Sequence, residues 1–111
     1  MNSLVIKSIE RARVEKAMQD YAQWLRAQFA EVEHVLWYGS WVSGFPTPHS
    51  DVDICLIVSS SDVPRRERIS KYLPLGFPVG VDLCVFTIEE FERLREISPQ
   101  WHQAIRDGNA L

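Results

Sequence analysis

Apolar residues return along the first third of the chain at helical spacing. Val14, Met18, Tyr21, Leu25 and Phe29 follow one another at steps of four, three, four and four, while Glu15, Lys16, Gln19, Asp20, Gln23 and Arg26 fill the opposite positions. A 3.6-residue period lays the first set along one stripe. This predicts an amphipathic helix over a core, from about Ser8 to about Ala30, with Trp24 assigned to the core as well. The pattern then changes period. His34–Tyr38 is a short apolar run ending at Gly39, which reads as a strand with Trp37 and Tyr38 as packing residues. Residues 39–50 hold two Gly, two Pro and three Ser and read as turns and loop. Val52–Val58 is almost continuously apolar and β-branched, as a strand covered on both faces should be.

Beyond it, residues 62–73 carry Ile69, Tyr72 and Leu73 on one side, with Asp62 and Pro64 at the start, and read as a helix. Pro74 to Gly80 is a turn region, and Gly80–Phe86 a third strand. Thr87 and Glu90 have capping-box spacing, which starts a helix running to about Ile97. Ser98-Pro99 begins a last short helix that Gly108 ends. The order α-β-loop-β-α-β-α-α predicts an α/β fold: a small mixed sheet of three or more strands flanked by helices. With 111 residues and no repeat or linker, residues 1–111 read as a single domain.

Composition adds limits. The formal net charge of −3 disfavours a grip on a nucleic-acid backbone, so no direct nucleic-acid contact is expected. Cys55 and Cys84 lie inside apolar runs and read as buried thiols, which suits a reducing cytoplasmic location. No signal-peptide pattern opens the chain and no apolar run is long enough to span a bilayer, so no membrane association is expected.

Three carboxylates stand apart. Asp51 and Asp53 open the second strand, one side-chain repeat apart and hence on one face. Asp82 falls within the third strand between Val81 and Leu83, where Asp is disfavoured. Clustered carboxylates repel and are costly to bury. A divalent cation removes both costs, and Mg²⁺ takes such hard oxygen ligands together with substrate phosphates. Two such ions could clamp an in-line phosphoryl displacement. Gly39-Ser40, just after the first strand, has the small residues of a phosphate-binding turn.

The string GSWVSGFPTPHSDVDICLIV resembles the DNA polymerase β-like nucleotidyltransferase superfamily through Gly39, Ser40, Gly44, Ser50, Asp51 and Asp53, with Asp82 in VGVDLCVF in the place of the third carboxylate. The likeness spans roughly residues 14–108. It implies that fold's palm, with Asp51, Asp53 and Asp82 as catalytic metal ligands for Mg²⁺, two ions being expected, and Gly39 and Ser40 as nucleotide-binding residues for ATP. The short chain looks like a minimal nucleotidyltransferase, the antitoxin of a HEPN toxin–antitoxin module. That resemblance implies transfer of AMP from ATP to a tyrosine of a cognate HEPN RNase toxin, held with the antitoxin as a hetero-oligomer. Two alternatives stay open: nucleotidyl transfer to a small molecule such as an aminoglycoside, and a non-catalytic antitoxin that only binds. Among residues of lower weight, Trp41 is the best adenine-stacking candidate. His49 reads as an exposed loop residue, and Arg65, Arg66 and Arg68 as a solvated face.

Overall fold

The computed structural model describes residues 3–44, 46 and 50–111, with side chains from Glu10 onward except Ser43. Helix α1 (Ser3–Gln28) begins five residues before the predicted start and ends two before the predicted end. The stripe read from its periodicity is the buried one: Val14, Met18 and Leu25 are fully enclosed and Tyr21 nearly so. Trp24 departs from expectation. It lies one position off the stripe and is 41% exposed, stacked beside Tyr21 and edge-on to Phe29.

The sheet is four-stranded and mixed, in the order β3-β2-β1-β4. Strand β1 (Val32–Tyr38) runs antiparallel to β2 (Val52–Val58), and β2 runs parallel to β3 (Val81–Thr87). Strand β4 (Asn109–Ala110) pairs antiparallel with β1 on its outer side, and Leu111 N donates to Val35 O at 2.9 Å. The sequence pattern held no sign of β4, since two exposed residues carry no period. Gly108 makes the approach possible: a Cβ there would stand 2.6 Å from Trp37 O.

Alternation along β2 splits the core into two layers. Val52, Ile54, Leu56 and Val58 pack towards α1 with Val35, Trp37, Leu83 and Val85. Cys55 and Ile57 pack on the opposite face with Tyr38, Phe86, Leu94 and Ile105. Helices α4 (Ile88–Ile97) and α5 (Pro99–Arg106) cover that second face. The central position of β2 explains its nearly unbroken apolar run.

The capping box at Thr87 and Glu90 is present as its spacing predicted. Ser98 precedes Pro99 as predicted, but its side chain makes no capping hydrogen bond; its backbone carbonyl accepts from His102 N at 3.0 Å. The helix expected over 62–73 is instead a 3₁₀ turn (Arg65–Glu67), here preceded by the four-residue α2 (Ser40–Ser43) in the numbering, and a one-turn α3 (Ile69–Tyr72). The break falls at Arg68, whose side chain turns inward. Arg68 is 5% exposed, correcting its assignment to a solvated face, whereas Arg65 and Arg66 do face solvent. Its guanidinium donates to Val63 O, to Val85 O and to both carboxylate oxygens of Glu90. A buried cation needs such partners, and meeting them bends the local chain out of one continuous helix. No described helix is long and apolar enough to cross a membrane.

Candidate active site

The acidic residues gather where β2 and β3 begin and β1 ends. Parallel pairing sets Asp53 directly opposite Asp82, and antiparallel pairing sets Asp53 opposite Tyr38, the residue before Gly39. Asp53 is therefore flanked by the end of one strand and the carboxylate of another. The register continues one step back, where Val52 N donates to Gly80 O at 2.9 Å, placing Asp51 beside Gly80.

Their burial is unequal. Asp53 is half-buried, whereas Asp51 and Asp82 are exposed. The expectation that Asp82 is a charge enclosed in an apolar strand is thereby corrected: β3 is an edge strand, and this side chain faces solvent. Burial raises the Asp53 carboxyl above its ordinary value, and the negative charges of Asp82 and then Asp51 push the same way. Among the described residues, no three His, Cys, Asp or Glu are gathered closely enough to hold an ion by themselves. The donor chemistry nevertheless fits Mg²⁺. The set is hard oxygen, a cation would relieve the repulsion at Asp53, and Mg²⁺ completes its shell with water and phosphate oxygens.

Two glycines shape the acidic pair. Gly39 has φ 86°, a left-handed conformation, and a Cβ there would lie 2.0 Å from Asp53 Oδ2. Gly39, where the sequence predicts close approach by a ligand, also leaves the space that the Asp53 carboxylate occupies. Gly80 does the same for Asp51, where a Cβ would lie 2.2 Å from Oδ1. Sequence reasoning placed Gly80 merely at a strand start, because its contact is made across the sheet. The clashing atom at Gly80 is the tip of an exposed side chain, so Gly80→Ala re-aims Asp51 without breaking the strand. The expected result is about a tenfold loss of Mn²⁺ affinity, measured by electron paramagnetic resonance, with the melting temperature kept. Unchanged affinity would remove Gly80 from the site.

Ser40 opens α2 directly after Gly39. Trp41, the stacking candidate, is corrected to a structural pin: it is 4% exposed, and its Nε1 donates to Ser50 O at 3.0 Å. Arg11 of α1 holds the same turn, donating to Trp41 O at 3.0 Å with its guanidinium over the indole. The turn after β1 is thus tied both to α1 and to the entry of β2. His49 lies outside the described residues.

The site is thus a carboxylate pair in register on parallel strands, fronted by a glycine turn from a third strand. The sequence matches the family described as poly(A) RNA polymerase, mitochondrial-like, central palm domain over residues 4–99, and the chain belongs to that family. Among solved structures, it is similar to a provisionally assigned nucleotidyltransferase from Sulfolobus solfataricus. The TM-score is 0.66 at 19% identity, over 99% of this chain and 87% of that one, a likeness of fold. No curated protein matches the chain.

Proposed function

We propose that this palm transfers AMP from ATP to a tyrosine hydroxyl of a partner protein, a HEPN-type toxin, and so neutralises it. The observation that carries the transfer chemistry is the register pairing of Asp53 with Asp82 beside the Gly39 turn. Family membership supports nucleotidyl transfer as the reaction class. The choice of a protein acceptor rests on the resemblance to minimal nucleotidyltransferases and on the net charge of −3.

In this reading Asp51, Asp53 and Asp82 hold the divalent ions. Bound there, Mg²⁺ neutralises phosphate charge and fixes the triphosphate for in-line attack. The Gly39-Ser40 turn seats the phosphates. The exposed Asp82 carboxylate accepts the proton of the incoming phenol, whose ordinary pKa of ~10 leaves it protonated at neutral pH. The phenolate oxygen then bonds to the α-phosphorus, the bond from that phosphorus to the bridging oxygen breaks, and pyrophosphate leaves. Positioning and charge neutralisation supply most of the rate.

A second acceptor has one observation in its favour: the matched family is described by an RNA polymerase that adds poly(A). One experiment separates the two. The chain is incubated with α-labelled ATP, Mg²⁺, the proposed HEPN-type partner and a short RNA. Label and an AMP-sized mass gain on the protein are expected. Label on the RNA alone would replace the protein acceptor with a nucleic-acid one. Inhibition of the partner with no label anywhere would leave a binding-only antitoxin.

A further inference from the structure

Cys55 and Cys84 take no part in the chemistry above, yet the fold brings them together. They are register partners across the parallel β2–β3 ladder, and both are free thiols. The pair Asp53–Asp82 is the register pair one side-chain repeat earlier on the same face. The two sulfurs therefore lie directly behind the two carboxylates.

Their exposure differs. Cys55 is fully buried, while Cys84 is only partly covered. The Tyr38 hydroxyl stands 3.9 Å from Cys84 Sγ and accepts a hydrogen bond from Trp101 Nε1 at 3.2 Å. Because the indole fills its acceptor side, the hydroxyl proton is free to point at the Cys84 sulfur. The arrangement is that of an approachable sulfur, a donor facing it, and a second sulfur shielded behind.

We propose that Cys84 and Cys55 form a peroxide-reactive dithiol that closes to a disulfide across β2 and β3 and disables the neighbouring carboxylate pair. The Cys84 sulfur attacks one oxygen of hydrogen peroxide. A sulfur–oxygen bond forms, the oxygen–oxygen bond breaks, and the departing oxygen leaves as water with the Cys84 thiol proton. The Cys55 sulfur then attacks the Cys84 sulfur. The sulfur–sulfur bond forms, the sulfur–oxygen bond breaks, and a second water leaves with the Cys55 proton. Two thiols are oxidised and one peroxide is reduced to two waters.

The backbone spacing permits the bond and makes it labile. Adjacent strands lie about 4.8 Å apart, inside the Cα window of disulfides, but linked Cβ atoms normally approach to ~3.8 Å. Closing the bridge therefore draws β2 and β3 together at this level. A strained bridge of that kind is readily reduced by cellular thiols. The same displacement reaches Asp53 and Asp82, whose backbones are two residues away on both strands. Formation of the bridge does not depend on the transfer reading; its effect on the carboxylates rests on that reading.

The test treats the full chain with hydrogen peroxide, blocks remaining thiols with N-ethylmaleimide after denaturation, and measures intact mass and peptides. The expected result is a loss of about 2 Da, one cross-linked peptide holding both cysteines, and reversal by dithiothreitol. Cys84→Ser should abolish the change. Cys55→Ala should divert Cys84 to sulfenic and higher acids. Two maleimides per oxidised chain, or an oxygen adduct on Cys84 without a cross-link, would overturn the dithiol. In parallel, Mn²⁺ affinity of the oxidised chain should fall about tenfold and recover on reduction. A bridge that forms without changing Mn²⁺ affinity would overturn the coupling to the site. A reduced chain that binds no Mn²⁺ would count against the transfer reading, while the mass result still decides the dithiol.

Discussion

Asp53→Asn should abolish nucleotidyl transfer while making the metal-free protein more stable at pH 7. The loss of activity follows from position. Asp53 sits between Gly39 and Asp82 and is the one member of the acidic set that is half-buried. On the proposed function, removing its charge takes away the central member of the proposed metal site, an effect of about a thousandfold or more. The gain in stability follows from the same position. Its carboxyl is raised above the ordinary value by burial first and by Asp82 and Asp51 next. A raised folded-state value means that the group favours folding fully below its unfolded pKa of ~3.9, and that this contribution is lost as pH rises through the folded value. At pH 7 the ionised group therefore opposes folding. The isosteric amide should therefore raise the melting temperature of the metal-free protein. Added Mg²⁺ should stabilise the wild type and not the variant. Calorimetry with and without Mg²⁺ measures both, and a variant that is inactive and also less stable would mean that Asp53 serves the fold rather than the site.

Glu90→Ala is expected to have the largest effect on stability, for reasons remote from the site. Glu90 does two things. It pairs with the Arg68 guanidinium through both oxygens, and it accepts from Thr87 N at 2.8 Å to complete the α4 capping box. Truncation leaves Arg68 buried with only its two carbonyl partners and leaves the Thr87 amide unpaired. Breaking a fully buried pair costs 3–5 kcal/mol; Glu90 keeps 35% of its side chain exposed, so about 2 kcal/mol is expected here. Glu90→Gln retains an acceptor for the cap and should cost less. Arg68 and the Thr87 amide hold the Glu90 carboxyl down to about 2. A depressed folded value contributes stability that is complete above the unfolded pKa of ~4.3 and is lost as pH falls towards about 2. The wild type should therefore lose melting temperature more steeply than Glu90→Gln between those limits. Parallel curves for the two proteins in acid would remove the ion pair from the account.

The part of the site that sequence reading reached most directly was its spacing. Asp51 and Asp53 share a face because strands alternate, and Val52–Val58 could be placed as a strand because a doubly covered strand is continuously apolar. The structure adds that the missing side chain of Gly39 makes room for Asp53, and that Gly80 does the same for Asp51. Neither contact has a local signature, since each joins residues far apart in the chain. Asp82 was legible for a reason the structure corrects: it marks an edge strand and faces solvent, so its interest lies in being opposite Asp53.

Local periodicity, capping spacing and β-branched runs were sufficient to determine the α/β order, the buried stripe of α1, the three long strands and the start of α4, because those features depend on neighbours within a few residues. The tertiary structure alone decided which indoles are enclosed, with Trp41 pinned under Arg11 and Trp24 left open. It alone turned Arg68 inward to Glu90, added β4 beside Gly108, and paired Asp53 with Asp82 and Cys55 with Cys84. Those outcomes depend on strand order and register, which are set by packing the whole core at once.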